Sequence, residues 1–474
     1  MSFFNSAPQI YSDFAVVCAA VCVVSALVLA VCLRGAGWLL WAACLVPLFL
    51  LGRMYATVGA PPFYAMDVLA AFALLSTLHT WGPRVFSEKR LRWFRAAALG
   101  LAVMTCQAVY RGMGAGYPEA LKGVILGLYP VLGWCAATWF LARPAEEAVR
   151  WRWVLYVPAA GVLLMRVLDA PLPAAAWGLY LAIAGAFGTQ LRLRGNSRLL
   201  LWTLAGAALM TAIASKRGPL LAVVAAIAAT TVAGRTYHRR AVRLPVLSWG
   251  IASVAVFGVL GFTLSGQDVS HMPVVGGLVT RVSRSHDTST EAGANVELRL
   301  QMWQEAFREV REDPLLGAGA GHPIEVVGHG RRLNAPRAGP HNSFVGYVYY
   351  LGWPAGIAMV LLVAATLRRT WRARHHPAAA SWFGATVGVA LTAFTNVAFE
   401  TTYIGLPSWL VLACAYALVG VPRGDEEAGG VPLAAVPAGR GAPAGHFRSG
   451  TGSLRPAPPA VPAGSATPAM PVSS

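Results

Sequence analysis

The 474-residue sequence has few charged residues: they make up 12% of the chain, whereas apolar residues make up 56%. Soluble domains carry about 25% charged residues, so the charges cannot cover the surface of a water-soluble fold of this size. Lysine is nearly absent, with only Lys89, Lys122 and Lys216, and the formal charge of +18 therefore rests on arginine. Most arginines lie in short clusters between apolar blocks, a pattern typical of the cytoplasmic loops of membrane proteins and not of nucleic-acid binding.

Cysteine is missing from the longest polar segment of the chain. All seven cysteines lie in or at the ends of apolar blocks, at positions 18, 22, 32, 44, 106, 135 and 414. This placement gives no support for a disulfide framework or a thiolate metal site. In the polar segment His322 and His329 are seven residues apart without an adjacent carboxylate pattern, so we predict no metal there. We also predict no cofactor.

Apolar blocks recur along most of the chain, and their length of about 15 to 25 residues suits a bilayer core of about 30 Å. They predict an all-α fold, a polytopic transmembrane helix bundle of about 12 to 13 spans within residues 1–421. The predicted spans are residues 14–33, 38–51, 63–80, 96–110, 118–141, 153–168, 174–191, 199–214, 220–233, 246–264, 344–367, 378–399 and 406–421.

The loops between these spans differ strongly in charge. Alternate loops on one side hold 20 arginines and lysines, whereas the loops on the other side hold four. Because cytoplasmic loops are enriched in basic residues, we predict that the amino terminus lies outside and the carboxy terminus in the cytoplasm.

Two segments do not read as spans. Residues 265–342 form a long polar loop on the predicted outer side, in which Val296, Leu300, Trp303, Phe307 and Val310 recur at helical spacing and predict an amphipathic helix. The run from 313 to 323, DPLLGAGAGHP, then ends that helix and supplies glycines for a tight turn or for close approach of the backbone to a ligand. Residues 422–474 hold 10 of the 31 prolines and predict a disordered cytoplasmic tail.

Lys216 and Arg217 stand between two apolar blocks on the predicted outer side, just before Gly218 and Pro219 open the next block. Guanidinium groups bind phosphate oxygens in a bidentate manner, and helix amino termini favour anions, so this segment is a candidate clamp for a diphosphate. The alternative is a short loop with an interfacial basic anchor.

His341 and Asn342 lie where the outer loop re-enters the predicted membrane. A histidine near neutral pKa at this boundary could act as a general base or orient an acceptor hydroxyl. The alternative is helix capping, which Asn342 could perform whether or not His341 takes part in chemistry.

Other polar residues on the outer side are weaker candidates. Arg281, Arg284 and Arg299 could bind a glycan or phosphate, or they could belong to a solvated surface. Asn396 and Glu400 are four residues apart, which predicts one helical face, and ionisable groups at this depth indicate either function or pairing with an arginine.

Taken in order, these segments resemble the O-antigen ligase and polymerase family of membrane glycosyltransferases. The resemblance covers residues 211–407 and rests on an ordered set of four short motifs. They are Ser215, Arg217 and Gly218; Arg299, Trp303 and Ala306; Pro314, Leu315, Gly317 and Gly319; and His341 with Asn342. The chain differs from the family in its proline-rich tail and in one additional predicted span.

The resemblance implies transfer of a glycan from a polyprenyl (undecaprenyl) diphosphate carrier to an acceptor, at the outer face of a bacterial inner membrane and without a metal. It implies that His341 and Arg217 are catalytic. Lys216, Arg281, Arg284, Arg299 and Asn342 would contact the diphosphate or the glycan. The implied partners are the lipid-linked oligosaccharide, a glycan or lipid acceptor, membrane lipids and proteins of chain-length control or export, but no nucleic acid.

Three functions remain open at this point. We favour polymerisation of polysaccharide repeat units, with ligation of a finished glycan to lipid A core, another lipid or a protein as the alternative. A transporter or flippase of lipid-linked glycans would also have many spans, but it should show related halves and several charged residues at mid-membrane.

Overall fold

The computed structural model describes residues 37–56, 58–60, 63–117, 119–141, 157, 158, 160, 161, 174–193, 217–234, 291–328, 331–335, 340–374 and 377–418. All of them lie in one compact unit, Met1–Pro422. They form a bundle of helices, as the apolar blocks predicted, together with two short antiparallel hairpins that the sequence did not reveal. The predicted spans 14–33, 199–214 and 246–264, most of 153–168, and the tail 422–474 lie outside the described residues.

The first half of the bundle follows the apolar blocks closely. Its elements are α1 (Gly37–Leu51), α2 (Arg53–Ala56), β1 (Gly59–Ala60), β2 (Phe63–Tyr64), α3 (Ala65–Ser87), α4 (Arg92–Gly114), α5 (Ile125–Leu141), α6 (Ala174–Leu193) and α7 (Arg217–Gly234). Short 3-10 turns, Lys89–Leu91 and Ala120–Val124, precede α4 and α5. At the 3-10 turn before α5, Lys122 forms a salt bridge with Glu119, so two charges of opposite sign lie together near the start of α5.

The second half carries the long polar segment and the helices after it. Its elements are α8 (Glu291–Val310), β3 (Ile324–Gly328), β4 (Arg331–Ala335), α9 (Ser343–Leu351), α10 (Trp353–Arg372), α11 (Pro377–Thr395) and α12 (Thr402–Leu418). The helix predicted from the spacing of Val296 to Val310 is confirmed as α8. Strands β3 and β4 pair antiparallel, with Ile324 opposite Ala335.

The core of the bundle is built on large aromatic side chains and small residues. Trp409 of α12 is fully buried, and its ring lies 6.1 Å from Phe94 of α4 and 5.1 Å from Phe399. Gly133 of α5 packs directly on the backbone of Trp409, and Gly388 of α11 packs against alanines of α6 and α7. Such small residues let helix backbones approach closely, which is how helices associate when apolar burial alone gives little discrimination.

One predicted span is wrong in detail. Residues 344–367 read as one apolar helix, but the chain breaks at Gly352, where φ is 87°, and divides into α9 and α10. The break frees backbone groups that the run after α8 satisfies: the Trp353 amide donates to the Pro314 carbonyl (2.9 Å), and the Ala318 amide donates to the Tyr349 carbonyl (2.7 Å). We call residues 313–323 the glycine turn.

The glycine turn confirms the prediction of a tight, glycine-dependent connection. Gly317, Gly319 and Gly321 all have positive φ, between 68° and 92°, which residues with a Cβ rarely adopt. Gly317 also approaches the Tyr349 carbonyl so closely that a Cβ would lie 2.5 Å from its oxygen. The glycine turn therefore packs into the break between α9 and α10, because its glycines permit both the positive φ values and the close approach to the Tyr349 carbonyl.

Within the described ranges, the segment Ala120–Thr138 is long and apolar enough to cross a membrane, by length and composition. Five shorter apolar helices of 10–17 residues accompany it, namely Ala65–His79, Ala176–Thr189, Leu221–Gly234, Ala379–Thr395 and Tyr403–Ala417.

Candidate active site

Arg299 lies on the face of α8 that is turned towards α11. Its Nη1 donates a hydrogen bond to the Thr395 carbonyl at the end of α11 (3.0 Å). Its Nε is buried and has no hydrogen-bond partner among the described residues. Burial lowers the pKa of the guanidinium because it penalises the charged form. Arg299 therefore presents a partly desolvated positive charge with unused donor capacity.

His341 lies in a strained turn directly before α9. It is the one non-glycine residue in the described part of the chain with positive φ, at 52°. Backbone strain of this kind costs about 1–3 kcal/mol and persists where surrounding contacts impose it, often at functional sites. Here the preceding residue, Pro340, is buried, and its carbonyl accepts a hydrogen bond from Trp303 Nε1 of α8.

The surroundings of His341 favour a neutral imidazole. Burial lowers its pKa most, the positive charge of Arg299 lowers it further, and a hydrogen bond with the Asn396 side chain acts in the opposite direction. Its Nδ1 is buried without a hydrogen-bond partner among the described residues. A neutral imidazole with an unused ring nitrogen can accept a proton, as a general base must.

Asn342 caps α9, as the alternative interpretation of this residue predicted. Its Oδ1 accepts hydrogen bonds from the backbone amides of Phe344 (3.0 Å) and Val345 (3.3 Å). The cap fixes the start of α9 and hence the turn that carries His341. Whether the Asn342 side chain also contacts a glycan stays a prediction.

The turn between α11 and α12 docks on this helix start. Ser343 Oγ accepts a hydrogen bond from the Phe399 amide (3.0 Å), and Asn396 lies beside His341. The prediction that Asn396 and Glu400 share a helical face is wrong, because α11 ends at Thr395 and both residues lie on the turn. The turn conformation is what brings Asn396 to the imidazole and lays Glu400 over Gly346 of α9.

Three ionisable groups here have a buried polar atom without a hydrogen-bond partner among the described residues: Arg299 Nε, His341 Nδ1 and Glu400 Oε1. The other orphaned buried side-chain atoms in the same part of the chain belong to hydroxyls and indoles. Native proteins rarely leave buried polar atoms unpaired, and such atoms call for an explanation such as a catalytic role or a missing ligand. We take the region around Arg299, His341 and Asn396 as the candidate active site.

The structure describes only part of the predicted site. Arg217 is the first residue of α7, so the prediction that a helix opens beside Gly218 and Pro219 is confirmed, but its side chain is outside the description. Lys216, Arg281 and Arg284 lie outside the described residues. Among the described residues, no group of three His, Cys, Asp or Glu side chains is placed to hold a metal ion.

Residues 199–360 match the model of a protein family described as O-antigen ligase. A curated protein of Pseudomonas aeruginosa named O-antigen ligase is 31% identical over 136 residues, which are 27% of this chain and 32% of that relative. Residues 199–360 therefore resemble the O-antigen ligase family. The predicted resemblance is thereby confirmed, although the chain spans about a third of the length of the curated relative. The O-antigen ligase segment contains Arg217, Arg299 and His341, whereas Asn396 lies beyond its end.

One polar cluster near this site escaped the sequence analysis. Glu309, His322 and Tyr349 meet between the end of α8, the glycine turn and α9. In the sequence, His322 belongs to the glycine-rich run 313–323 and Tyr349 to the apolar block after His341, while Glu309 reads as one of several acids on an amphipathic helix. Only the position of Glu309 ten residues after Arg299 on the same helix could have linked it to the site.

Proposed function

We propose that this protein transfers a glycan from a polyprenyl diphosphate carrier to an acceptor hydroxyl at the outer face of a bacterial inner membrane. The observation that carries the proposal is a half-buried arginine, Arg299, whose charge acts on a strained histidine, His341, inside the O-antigen ligase segment. A guanidinium suits an anionic leaving group, and a neutral imidazole suits a hydroxyl nucleophile.

The membrane location is supported by apolar helix faces that no other element covers within the described residues. On α4 the side chains of Trp93, Val103 and Tyr110 are exposed by 65%, 68% and 80%, and on α10 Ile357 and Leu361 are exposed by 53% and 62%. Soluble monomers rarely expose contiguous apolar surface of this kind. Lipid chains would cover these faces in a multi-pass membrane protein. The orientation, with an outer amino terminus and a cytoplasmic carboxy terminus, is proposed from the charge of the loops.

The chemical step follows from the two groups. The acceptor oxygen forms a bond to the anomeric carbon of the donor glycan, the bond from that carbon to the diphosphate oxygen breaks, and the electron pair leaves with the diphosphate. His341 takes the proton of the acceptor hydroxyl. Arg299 and the predicted catalytic Arg217 stabilise the charge that develops on the diphosphate. This electrostatic stabilisation of the transition state is large where water is excluded. Lys216, Arg281 and Arg284 are proposed as further contacts to the donor.

Two acceptors fit this chemistry. If the acceptor is another lipid-linked repeat unit, the product is a longer lipid-linked polymer; if it is lipid A core, another lipid or a protein, the product is a finished conjugate. The sequence analysis favoured polymerisation, whereas the name of the Pseudomonas aeruginosa relative favours ligation at least as well. We therefore propose glycan transfer, and the reaction products will distinguish polymerisation from ligation.

The test is the profile of lipid-linked and released glycans in cells that lack the gene, complemented with wild type, Arg299→Ala, His341→Ala or Arg217→Ala. We expect loss of product in all three variants at normal membrane levels of protein. Arg311→Ala and His79→Ala, at exposed positions outside the site, serve as matched controls and should restore the wild-type profile.

The deletion itself identifies the reaction. Accumulated single repeat units indicate a polymerase, and full-length polymer that stays on its carrier indicates a ligase. Lipid-linked glycan that accumulates on the cytoplasmic side would indicate a flippase and overturn the proposal. Wild-type profiles from both His341→Ala and Arg299→Ala would remove the assigned site.

A further inference from the structure

A polar cluster joins three elements at the end of α8 that lies away from Arg299. Tyr349 Oη donates a hydrogen bond to Glu309 Oε2 (2.9 Å), and His322 Nδ1 lies 2.7 Å from Tyr349 Oη and 3.1 Å from Glu309 Oε2. Tyr117 packs edge-on against the His322 ring at 5.0 Å. We call Glu309, His322 and Tyr349 the Tyr349 clasp.

The three groups can form one directional chain. A proton on His322 Nδ1 can be donated to Tyr349 Oη, whose own proton is donated to the Glu309 carboxylate. Hydrogen bonds that end on a charged acceptor are shorter and stronger than neutral ones, and chains of this kind polarise one another. The clasp therefore fixes the relative positions of its three residues more firmly than apolar packing alone would.

Each residue of the clasp belongs to a different piece of the structure. Glu309 is in the last turn of α8, His322 is in the glycine turn, and Tyr349 is on α9. Tyr349 holds the glycine turn a second time, because its carbonyl accepts the Ala318 amide. Met302, Ala306 and Val310 of α8 also pack in one apolar cluster with Val345 and Val348 of α9.

Besides this apolar packing, two polar contacts join α8 to α9 and to the turn that precedes it. One is the Trp303–Pro340 hydrogen bond beside His341, and the other is the clasp. Arg299 is ten residues before Glu309 on the same helix, about 15 Å along its axis at 1.5 Å per residue.

Loss of the clasp would leave the end of α8 held by apolar packing and by the stacking of Phe307 on Trp353, which lack the directionality of hydrogen bonds. A small shift of α8 would then displace Arg299 relative to His341.

We infer that the Tyr349 clasp positions α8 so that Arg299 faces His341, which makes Glu309, His322 and Tyr349 positioning residues for the proposed glycan transfer. The inference rests on the proposed function, because it concerns the same site. None of the three needs to contact donor or acceptor: they act through the placement of Arg299.

The chemistry of Glu309 agrees with a role other than stability. Its burial raises the pKa of the carboxyl, although the Tyr349 hydrogen bond and His322 act against that shift. A carboxyl whose pKa is raised on folding makes the folded state less stable once it ionises, so an ionised Glu309 at neutral pH opposes folding. A glutamine at this position would keep the shape and an acceptor oxygen without that penalty.

The experiment measures kcat and KM for the donor with purified protein in lipid nanodiscs, using lipid-linked glycan and acceptor membranes from the deletion cells. For Tyr349→Phe, which keeps the ring and removes only the hydroxyl, we expect kcat to fall about tenfold with KM within about twofold, since a displacement of about 1 Å can cost up to about a hundredfold. For Glu309→Gln we expect a similar fall in kcat with unfolding temperature unchanged or raised. Tyr110→Phe and Glu312→Gln, at exposed positions, are the matched controls.

A double-mutant cycle tests whether the clasp acts through Arg299. In an Arg299→Lys background, which keeps the charge and loses the guanidinium fork, Tyr349→Phe should cost less than about twofold, because effects that pass through one residue are not additive. An equal loss in both backgrounds would show that the clasp acts elsewhere.

The outcomes separate this inference from the proposed function. If His341→Ala abolishes transfer while Tyr349→Phe and Glu309→Gln keep wild-type kcat, the clasp is structural only and the inference is overturned, although the proposed function stands. A fall in the amount of folded protein without a fall in kcat leads to the same conclusion. If His341→Ala retains full kcat, the assigned site fails, and if the wild-type protein transfers no glycan in this assay, the proposed function itself fails.

Discussion

The indole Nε1 of Trp303 donates a hydrogen bond to the carbonyl of Pro340, the residue that immediately precedes His341. This contact joins the middle of α8 to the strained turn in which His341 has a positive φ. Four residues earlier on the same helix, Arg299 lowers the pKa of His341 by its charge. One turn of α8 thus supplies both the contact that shapes the histidine turn and the charge that acts on the histidine.

Replacement of Trp303 by Phe should therefore impair activity more than stability. The ring would still pack near Phe394, 6.1 Å away in the wild type, but the buried Pro340 carbonyl would lose its donor. A single hydrogen bond of this kind contributes about 1 kcal/mol to stability. We expect a modest fall in unfolding temperature and a fall in kcat of about tenfold, as the strained turn relaxes.

The matched control for this prediction is Trp93→Phe, because the Trp93 side chain is 65% exposed on α4. Glycan transfer and thermal unfolding in nanodiscs would be measured for both variants. Equal activity of the two variants would contradict the assigned role of the Trp303 indole.

The pH dependence of transfer should report His341. The neutral imidazole is the basic form, so activity rises with pH through the His341 pKa, which burial and Arg299 hold below the usual value. Arg299→Met removes the charge, should leave only residual transfer in the purified assay, and should shift the acid limb of the pH profile of that residual kcat to higher pH. Asn396→Ala removes a hydrogen bond that raises the pKa, and should shift the same limb to lower pH.

These opposite shifts distinguish an electrostatic effect on His341 from general damage to the site, which would lower activity at all pH values. Arg311→Met is the control and should leave the profile in place. Stability should change in the same pH range: because the folded pKa of His341 is depressed, its contribution is present above the unfolded pKa and is lost as pH falls through the folded pKa. Shifts of equal sign in Arg299→Met and Asn396→Ala would refute His341 as the titrating base.

The apolar pattern predicted most of the helices because the spacing of apolar residues within one segment indicates which face of that helix is buried. Helices α1 and α6 begin within one residue of their predicted starts, and α8 appears where the three- and four-residue spacing placed it. The break at Gly352 could not be read in the same way, because it depends on the glycine turn, a partner 30 or more residues earlier in the chain. The strands β3 and β4 were missed because they lie in a polar segment without apolar alternation.

The candidate site was less predictable from the sequence than the helices were. Spacing alone could not place Arg299 near His341, which is 42 positions further on; the family resemblance suggested both residues, and the geometry joins them. Asn396 was recognised as a polar residue at a helix end, but its orientation depends on where α11 stops. Glu309 was missed because its role depends on two partners from other segments.

Replacement of Gly346 by Ala should destabilise the protein through Glu400. A Cβ at this position would overlap the Glu400 carboxyl, which is shielded from solvent in the turn after α11. Overpacking of this kind costs about 1–3 kcal/mol. In a Glu400→Ala background the cost should shrink, because the overlapping group is gone.

Thermal unfolding of the two single variants and the double variant measures this coupling. Gly100→Ala, in the interior of α4 with nothing within 4 Å of the new Cβ, is the control and should stabilise the protein by about 0.5–1 kcal/mol. If Gly346→Ala costs the same with and without the Glu400 side chain, the two residues do not share the contact that the structure gives them.

Replacement of Gly317 by Ala, compared with the same change at Gly116, tests whether the glycine turn supports the site. The two glycines have similar φ values but different surroundings. Gly317 has a φ of 68° and a Cβ there would lie 2.5 Å from the Tyr349 carbonyl oxygen, whereas Gly116 has a φ of 77° and nothing within 4 Å. An alanine in this backbone region costs about 1–2 kcal/mol at either position. At Gly317 the clash adds about 1–3 kcal/mol and forces the turn away from Tyr349.

We therefore expect Gly116→Ala to lower the unfolding temperature slightly and to keep kcat, whereas Gly317→Ala should lower both. The activity loss should follow from displacement of Tyr349, whose carbonyl and hydroxyl both hold this part of the chain. If the two alanines had equal effects on kcat, backbone strain alone would be responsible. The packing of the glycine turn in the α9–α10 break would then not govern the distance between Arg299 and His341.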